Sequence, residues 1–152
     1  MTDPDDGPQP PARLRELASW QTSRVSTLGA RLFARHMPLG ARADFAVLAA
    51  LEEYGPLSQA GLGRRLGLDR NDVNGIVGRL EQHDQIERRP DPADRRRNIV
   101  TMTGAGQRRL DELQQYADTV QEELLASLDA AERRDLQALL AKVLGSHPPQ
   151  PA

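Results

Sequence analysis

Apolar residues recur along most of this chain at three- and four-residue steps, the period of a helix with one buried face. From Ala12 to about Met37, Leu14, Leu17, Val25, Leu28 and Leu32 form such a stripe, interrupted at Gln21 and ended by Met37-Pro38 and Gly40. A second helix carries Phe45, Leu48 and Leu51 and stops at Gly55-Pro56. A short helix from about Ser58 turns Leu62 and Leu66 inward and ends at Gly67. Asp69 has the chemistry to cap the next helix, because a carboxylate accepts from the open N–H groups of a first turn. Val73, Ile76, Val77 and Leu80 share that helix's inner face.

The period then shortens. Ile86 to Arg89 and Asn98 to Met102 read as two strands, and Pro90-Asp91-Pro92-Ala93-Asp94 between them excludes regular helix. A hairpin this small is not stable alone and must lean on the preceding helices. Thr103 restarts helix, with Leu110, Leu113, Ala117, Val120 and Leu124 on a seam suited to long-helix pairing. Asp129 and Glu132 resemble a capping box opening a last helix, expected to bury Leu136, Leu139, Leu140 and Val143.

The pattern predicts a mainly α chain with a small β-hairpin wing: a winged helix-turn-helix over residues 41–103, flanked by dimerisation helices over 12–37 and 104–144. Residues 1–11 and 145–152, rich in Pro and polar groups, are expected to be disordered tails around a single domain. The apolar stripes of the first and last helices exceed what one small lobe can cover, which predicts a homodimer.

Composition changes the picture in two ways. The chain has no Cys, so disulfides, thiol nucleophiles and zinc–thiolate sites are excluded. Its formal charge of −2 hides an asymmetry: Ser58 to Arg109 holds 11 Arg against 7 Asp or Glu, whereas the rest holds 9 basic and 15 acidic residues. A positive middle inside an acidic chain suits a reader of nucleic acid. No run approaches the roughly 20 apolar residues of a membrane span. Met1 to Pro11 is acidic and proline-rich, unlike a signal peptide. A soluble, cytoplasmic protein without membrane association is expected.

In a helix-turn-helix the second helix enters the major groove and meets base edges with its N-terminal residues. Here that turn offers Arg70, Asn71 and Asn74. Arg can bond guanine O6 and N7 in bidentate fashion, and Asn can do the same with adenine N6 and N7. Gly75 and Gly78 lie on or near the same outer face, each costing the helix about 1 kcal/mol relative to Ala and each permitting close backbone approach. On the hairpin, Arg95, Arg96 and Arg97 are consecutive. An arginine-bearing tip fits the narrow minor groove, where negative potential concentrates. Strand alternation sends neighbours to opposite faces, so one of the three is expected to pair with Asp94 or Asp91.

These residues resemble the MarR (multiple antibiotic resistance regulator) family of winged helix-turn-helix transcription regulators. The run Leu57-Ser58-Gln59 through Leu66, on to Asp69, Val73 and Leu80-Glu81, is similar to the family's helix-turn-helix. Asp91-Pro92-Ala93-Asp94-Arg95-Arg96, with Val100-Thr101-Met102-Thr103 and Gly106, is similar to its wing and the start of its next helix. Asp84-Gln85-Ile86 replaces the frequent Gly-Leu-Ile, Met102-Thr103 the frequent Leu-Thr, and Gly75 a longer side chain. The resemblance implies a homodimeric repressor on a palindromic duplex operator, released by a small aromatic or anionic ligand. It also implies that Arg95 enters the minor groove and that Ser58 joins the residues touching DNA.

Enzymatic readings lack their motifs: there is no Gly-x-x-x-x-Gly-Lys-[Ser/Thr], Gly-x-Ser-x-Gly or His-Glu-x-x-His. His36, His83 and His147 are scattered, and Glu52-Glu53 and Glu122-Glu123 diverge on their helices. No catalytic residue, metal site or cofactor is expected. Trp20, His36, Phe45 and Tyr54 are a candidate effector pocket, with core packing as the competing reading. The alternative to a DNA-binding regulator is a winged-helix module for protein interaction or assembly, its arginines solvated or paired.

Overall fold

The computed structural model describes residues 9–147 of the 152. The outer parts of the two expected tails lie outside the described residues. In chain order the elements are α1 (Ala12–Arg15), α2 (Ala18–His36), α3 (Ala41–Tyr54), β1 (Leu57–Ser58), α4 (Gln59–Leu66), α5 (Arg70–Gln82), β2 (Ile86–Pro90), β3 (Asn98–Met102), α6 (Gly104–Leu124) and α7 (Ala130–Gly145). The fold is mainly α with a three-stranded antiparallel sheet in the order β1-β3-β2. Among the described residues no helix is long and apolar enough to cross a membrane.

Side-chain caps set most of the boundaries. Ser58, Asp69 and Thr103 accept from Gly61, Asp72 and Gly106 N–H and so open α4, α5 and α6. Asp129 and Glu132 complete a reciprocal capping box at α7. Gly67 closes α4 at φ 65°, a left-handed conformation that glycine reaches without a Cβ clash.

Three details depart from the pattern. The first helix is broken: Leu17 is extended, and Gln21, which interrupts the apolar stripe, donates Nε2–H to the Arg15 carbonyl at 2.7 Å, satisfying an open end of α1. The hairpin gains a third strand, because Leu57 and Ser58 pair with Val100 and Ile99. The face of α7 expected to be buried is not covered by the other described residues: Leu139, Leu140 and Val143 are exposed and Leu136 is half-buried. Helical spacing identifies a shared face but not the surface that covers it.

The core joins α3, α4, α5, the sheet and α6. Leu48, Leu62, Leu80, Ile86, Val100 and Leu113 are fully buried, each contributing about 1.5–3 kcal/mol relative to exposure. Gly106 is where α6 meets the hairpin base. A Cβ there would stand 2.1 Å from the Gln85 carbonyl oxygen, so only glycine fits. Beside it the Thr103 hydroxyl donates to Asp84 O at 2.6 Å and Thr103 N–H to Gln85 O at 3.1 Å. Asp84, in place of the frequent glycine, adopts φ 56°, which a short polar side chain tolerates better than most.

Candidate nucleic-acid interface

Two elements bound one open groove of about 930 Å³: the start of α4 with the outer face of α5 on one side, and the base of the wing on the other. It is lined by six of the seven residues expected to touch DNA, Ser58, Arg70, Asn71, Asn74, Arg96 and Arg97, together with Gln59, Arg64 and Asn98. Arg95 is exposed beyond this lining, on the wing loop.

The turn before α5 aims the first residues of that helix. With Asp69 capping and Val73, Ile76, Val77 and Leu80 buried beneath, Arg70, Asn71 and Asn74 are left facing outward. A Cβ on Gly75 or Gly78 would meet no atom within 4 Å, so packing within the chain does not require glycine at either. The outer face is thereby low enough for another surface to approach the backbone.

The wing is shaped by its own aspartates. Asp91 Oδ1 accepts from Ala93 N–H at 2.9 Å and Asp94 Oδ1 from Arg96 N–H at 3.0 Å, two local turns that stand in for a regular ladder. Asp91 N–H bonds Arg97 O at 2.8 Å across the loop. Arg97 pairs with Asp94 at 3.4 Å, which resolves the expectation that one arginine of the run turns to an aspartate. Among the described residues Arg64, Arg70, Arg95 and Arg96 form no ion pair with the chain's carboxylates, leaving four exposed cations around the groove and the wing tip.

Two ion pairs hold this surface to its scaffold. Arg79, late in α5, bonds the buried Asp44 of α3 through Nε at 3.2 Å. Arg88 of β2 bonds Glu81 of α5 through Nε at 2.8 Å and through Nη2. The Arg88 hydrogen bond holds the Glu81 carboxyl below its ordinary value, and Glu81 in turn raises the Arg88 guanidinium.

The four aromatic and histidine candidates for an effector pocket have separate partners. The Arg24 guanidinium lies 5.8 Å from the Trp20 ring, and that of Arg65 3.8 Å from the Tyr54 ring. His36 Nε2 is 2.7 Å from Glu123 Oε2, and Phe45 packs on the core. A separate hollow of about 280 Å³ lies at the α2–α3 corner, lined by Ala30, Phe33, Ala34, Met37, Pro38, Leu39, Gly40 and Arg42.

Sequence reasoning passed over Gln59 and Arg64. Arg64 was accessible to it, two residues from the inward Leu62 and hence off the buried face. Gln59 was not, because its partner Asn74 is 15 residues away.

A helix pair crossed by a turn, with a basic three-stranded wing beside the second helix, defines the winged helix-turn-helix class of DNA-binding fold. The model of the MarR family matches residues 41–97, from the start of α3 through the wing. A probable transcriptional regulator from Pseudomonas aeruginosa superposes with a TM-score of 0.76 at 32% identity, over 87% of this chain and 100% of that one. The chain belongs to the MarR family. BpsR of Bordetella bronchiseptica, whose DNA binding is regulated by 6-hydroxynicotinic acid, superposes with a TM-score of 0.72 at 28% identity, over 82% of this chain and 96% of that one. The transcriptional repressor NicR of Pseudomonas putida is 38% identical over 103 residues, 68% of this chain. The chain spans 65% of NicR's length, under two thirds.

Proposed function

We propose that the chain is a homodimeric, sequence-specific DNA-binding repressor whose hold on a palindromic operator is loosened by a small aromatic acid. The carrying observation is the groove itself, where Arg70, Asn71 and Asn74 face outward beside a wing whose Arg95 and Arg96 have no carboxylate partner among the described residues. In this reading the α5 side chains read base edges in the major groove. The wing arginines sit in or along the minor groove, and Ser58 and Arg64 hold phosphates. Exposed cations around a polar helix face that is bounded by a wing suit a regular polyanion such as duplex DNA, which favours this reading over a protein-interaction module.

The dimer follows from the ends of the chain. Leu14 on α1, Leu17 at the break before α2, Val25 and Leu28 on α2, and Leu139, Val143 and Leu144 on α7, are 40–70% exposed. A second copy would cover such stripes.

For the ligand, the hollow at the α2–α3 corner has suitable chemistry. Phe33, Met37 and Leu39 offer apolar walls, and the Arg42 guanidinium, 5.4 Å from the Phe33 ring, offers a counter-charge for a carboxylate. 6-hydroxynicotinic acid, the regulator of BpsR, belongs to this class of ligand. Gly40, at φ 82°, lines the hollow and lies against the Arg79 guanidinium of α5, so a ligand there would press on the recognition helix.

A mobility-shift titration against the DNA flanking the chain's own gene, with and without 6-hydroxynicotinic acid, tests the proposal. A retarded band that competitor DNA of unrelated sequence does not remove supports specific binding. Its weakening by the acid supports the ligand class. Equal competition by any duplex would reject sequence-specific repression.

A further inference from the structure

Within the groove, one hydrogen bond joins the two helices of the helix-turn-helix through side chains. Gln59, the first residue of α4, donates Nε2–H to Asn74 Oδ1 at 3.4 Å, across 15 residues of sequence. Both line the groove. Gln59 is half-buried and anchored at a capped helix start, whereas Asn74 is exposed on α5 with open space above the neighbouring Gly75.

The chemistry of a carboxamide makes this bond consequential. A free Asn presents an acceptor and a donor together, the combination that matches N6–H and N7 of adenine. Once the Asn74 oxygen is turned toward α4, the amide nitrogen is turned away from it, and both of its hydrogens remain for a partner in the groove. A donor-only edge suits guanine, whose O6 and N7 are adjacent acceptors, and repels the exocyclic amino groups of adenine and cytosine.

We infer that Gln59 is a positioning residue for base readout, holding the Asn74 carboxamide so that it selects guanine over adenine at one base pair of each half-site. The inference rests on the proposed DNA-reading role and adds a specificity determinant outside the recognition helix. Released from Gln59, the Asn74 carboxamide can rotate to the bidentate adenine geometry. Gln59→Asn keeps an amide too short to span to α5 and should behave like Gln59→Ala. Gln59→Glu reverses the polarity. Its carboxylate accepts from Asn74 Nδ2, turning the Asn74 oxygen into the groove toward the amino groups of adenine or cytosine.

The test uses the full chain and a pool of duplexes with a randomised centre. Selection gives the preferred sequence, and each base pair of it is then substituted in turn. Asn74→Ala locates the base pair that Asn74 reads, as the position where preference flattens. The guanine-to-adenine affinity ratio at that position is the readout, because any general change in affinity cancels in it. Gln59→Ala and Gln59→Asn are each expected to lower the ratio roughly five- to tenfold, and Gln59→Glu to invert it. A ratio left at the wild-type value by Gln59→Ala and Gln59→Asn, while Asn74→Ala flattens the preference, overturns the inference and leaves the DNA-reading role standing. If Asn74→Ala flattens no position, the inference falls with Asn74 itself. If the wild-type chain selects no sequence at all, the DNA-reading role fails first.

Discussion

The lobe from α3 to β3 and the helices at the two ends of the chain use the same aliphatic residues in opposite ways. In the lobe, Val47, Leu48, Leu62, Val77 and Val100 are completely buried, and Arg79–Asp44 and Arg88–Glu81 tie recognition helix and wing to the scaffold. At the ends, Leu17, Leu28, Leu139 and Leu144 are 48–70% exposed, and α7 has no buried residue. The lobe is packed within itself and presents the polar groove on its surface. The ends carry apolar faces that the described residues leave open, and α6, buried along Leu110, Leu113, Ala117 and Val120, packs against both α2 and α3.

The sharpest way to break this contrast is to delete equivalent side chains from each region. Leu48→Ala, in the lobe, is expected to cost about 2–5 kcal/mol of folding stability, read by denaturant unfolding of the purified chain. Leu139→Ala, on α7, should instead weaken self-association, raising the concentration at which the chain sediments as a dimer while the lobe still unfolds as in wild type. If its cost equals that of Leu48→Ala and does not depend on protein concentration, the ends are packed within a single chain. The double substitution Leu139→Glu and Leu144→Glu carries the contrast further. It should convert the chain to a 16.8 kDa species by sedimentation at micromolar concentration, with its helical circular dichroism retained.

A second set separates the two arms of the groove. Arg70→Ala is expected to cost about 1–3 kcal/mol at one operator position per half-site and to relax base preference there. Arg95→Ala should weaken binding to most sequences and make its salt dependence shallower, by about one counterion for each phosphate the wing no longer neutralises. An Arg95→Ala chain with unchanged salt slope would make the wing tip a structural feature that does not touch DNA.

The smallest expected effect is the acid response of the Glu81–Arg88 tie. Glu81 has a lowered carboxyl pKa in the folded chain, so its contribution is complete above the ordinary value of 4.5 and is lost as pH falls through the lower folded value. Glu81→Gln should remove that part of the acid destabilisation, measured by thermal unfolding at neutral pH and below 4.5. Equal acid sensitivity of variant and wild type would assign the loss to other carboxylates.

The helices and the hairpin were legible in the sequence because each carries its own signals: a repeating apolar face, an oxygen-bearing cap, a Gly or Pro stop. Asp69, Thr103 and the Asp129–Glu132 box act locally and so could be read locally. The two-residue β1 has too few positions to show alternation, and it pairs with residues about 40 positions further on, as in Leu57 with Val100. The break after Arg15 depends on Gln21 reaching back to a carbonyl, which periodicity cannot express. At the groove, Arg70, Asn71 and Asn74 followed from the cap that orients them. Gln59 did not, since its significance lies in a hydrogen bond between elements. Trp20, His36, Phe45 and Tyr54 were placed together by where the first helices should meet the lobe, whereas the fold gives each separate contacts, some from distant parts of the chain, such as Glu123 beside His36.

On the proposed function, the contrast between a packed lobe and open ends predicts a particular complex, with two chains joined by their terminal helices and one lobe on each half-site, centred about one helical turn apart. The stoichiometry of the chain on a selected palindromic duplex, determined by sedimentation equilibrium, tests this directly. Two chains per duplex, bound together with no singly occupied species at submicromolar protein, is the expected result. Independent binding of single 16.8 kDa chains, or no complex with any duplex, would contradict it.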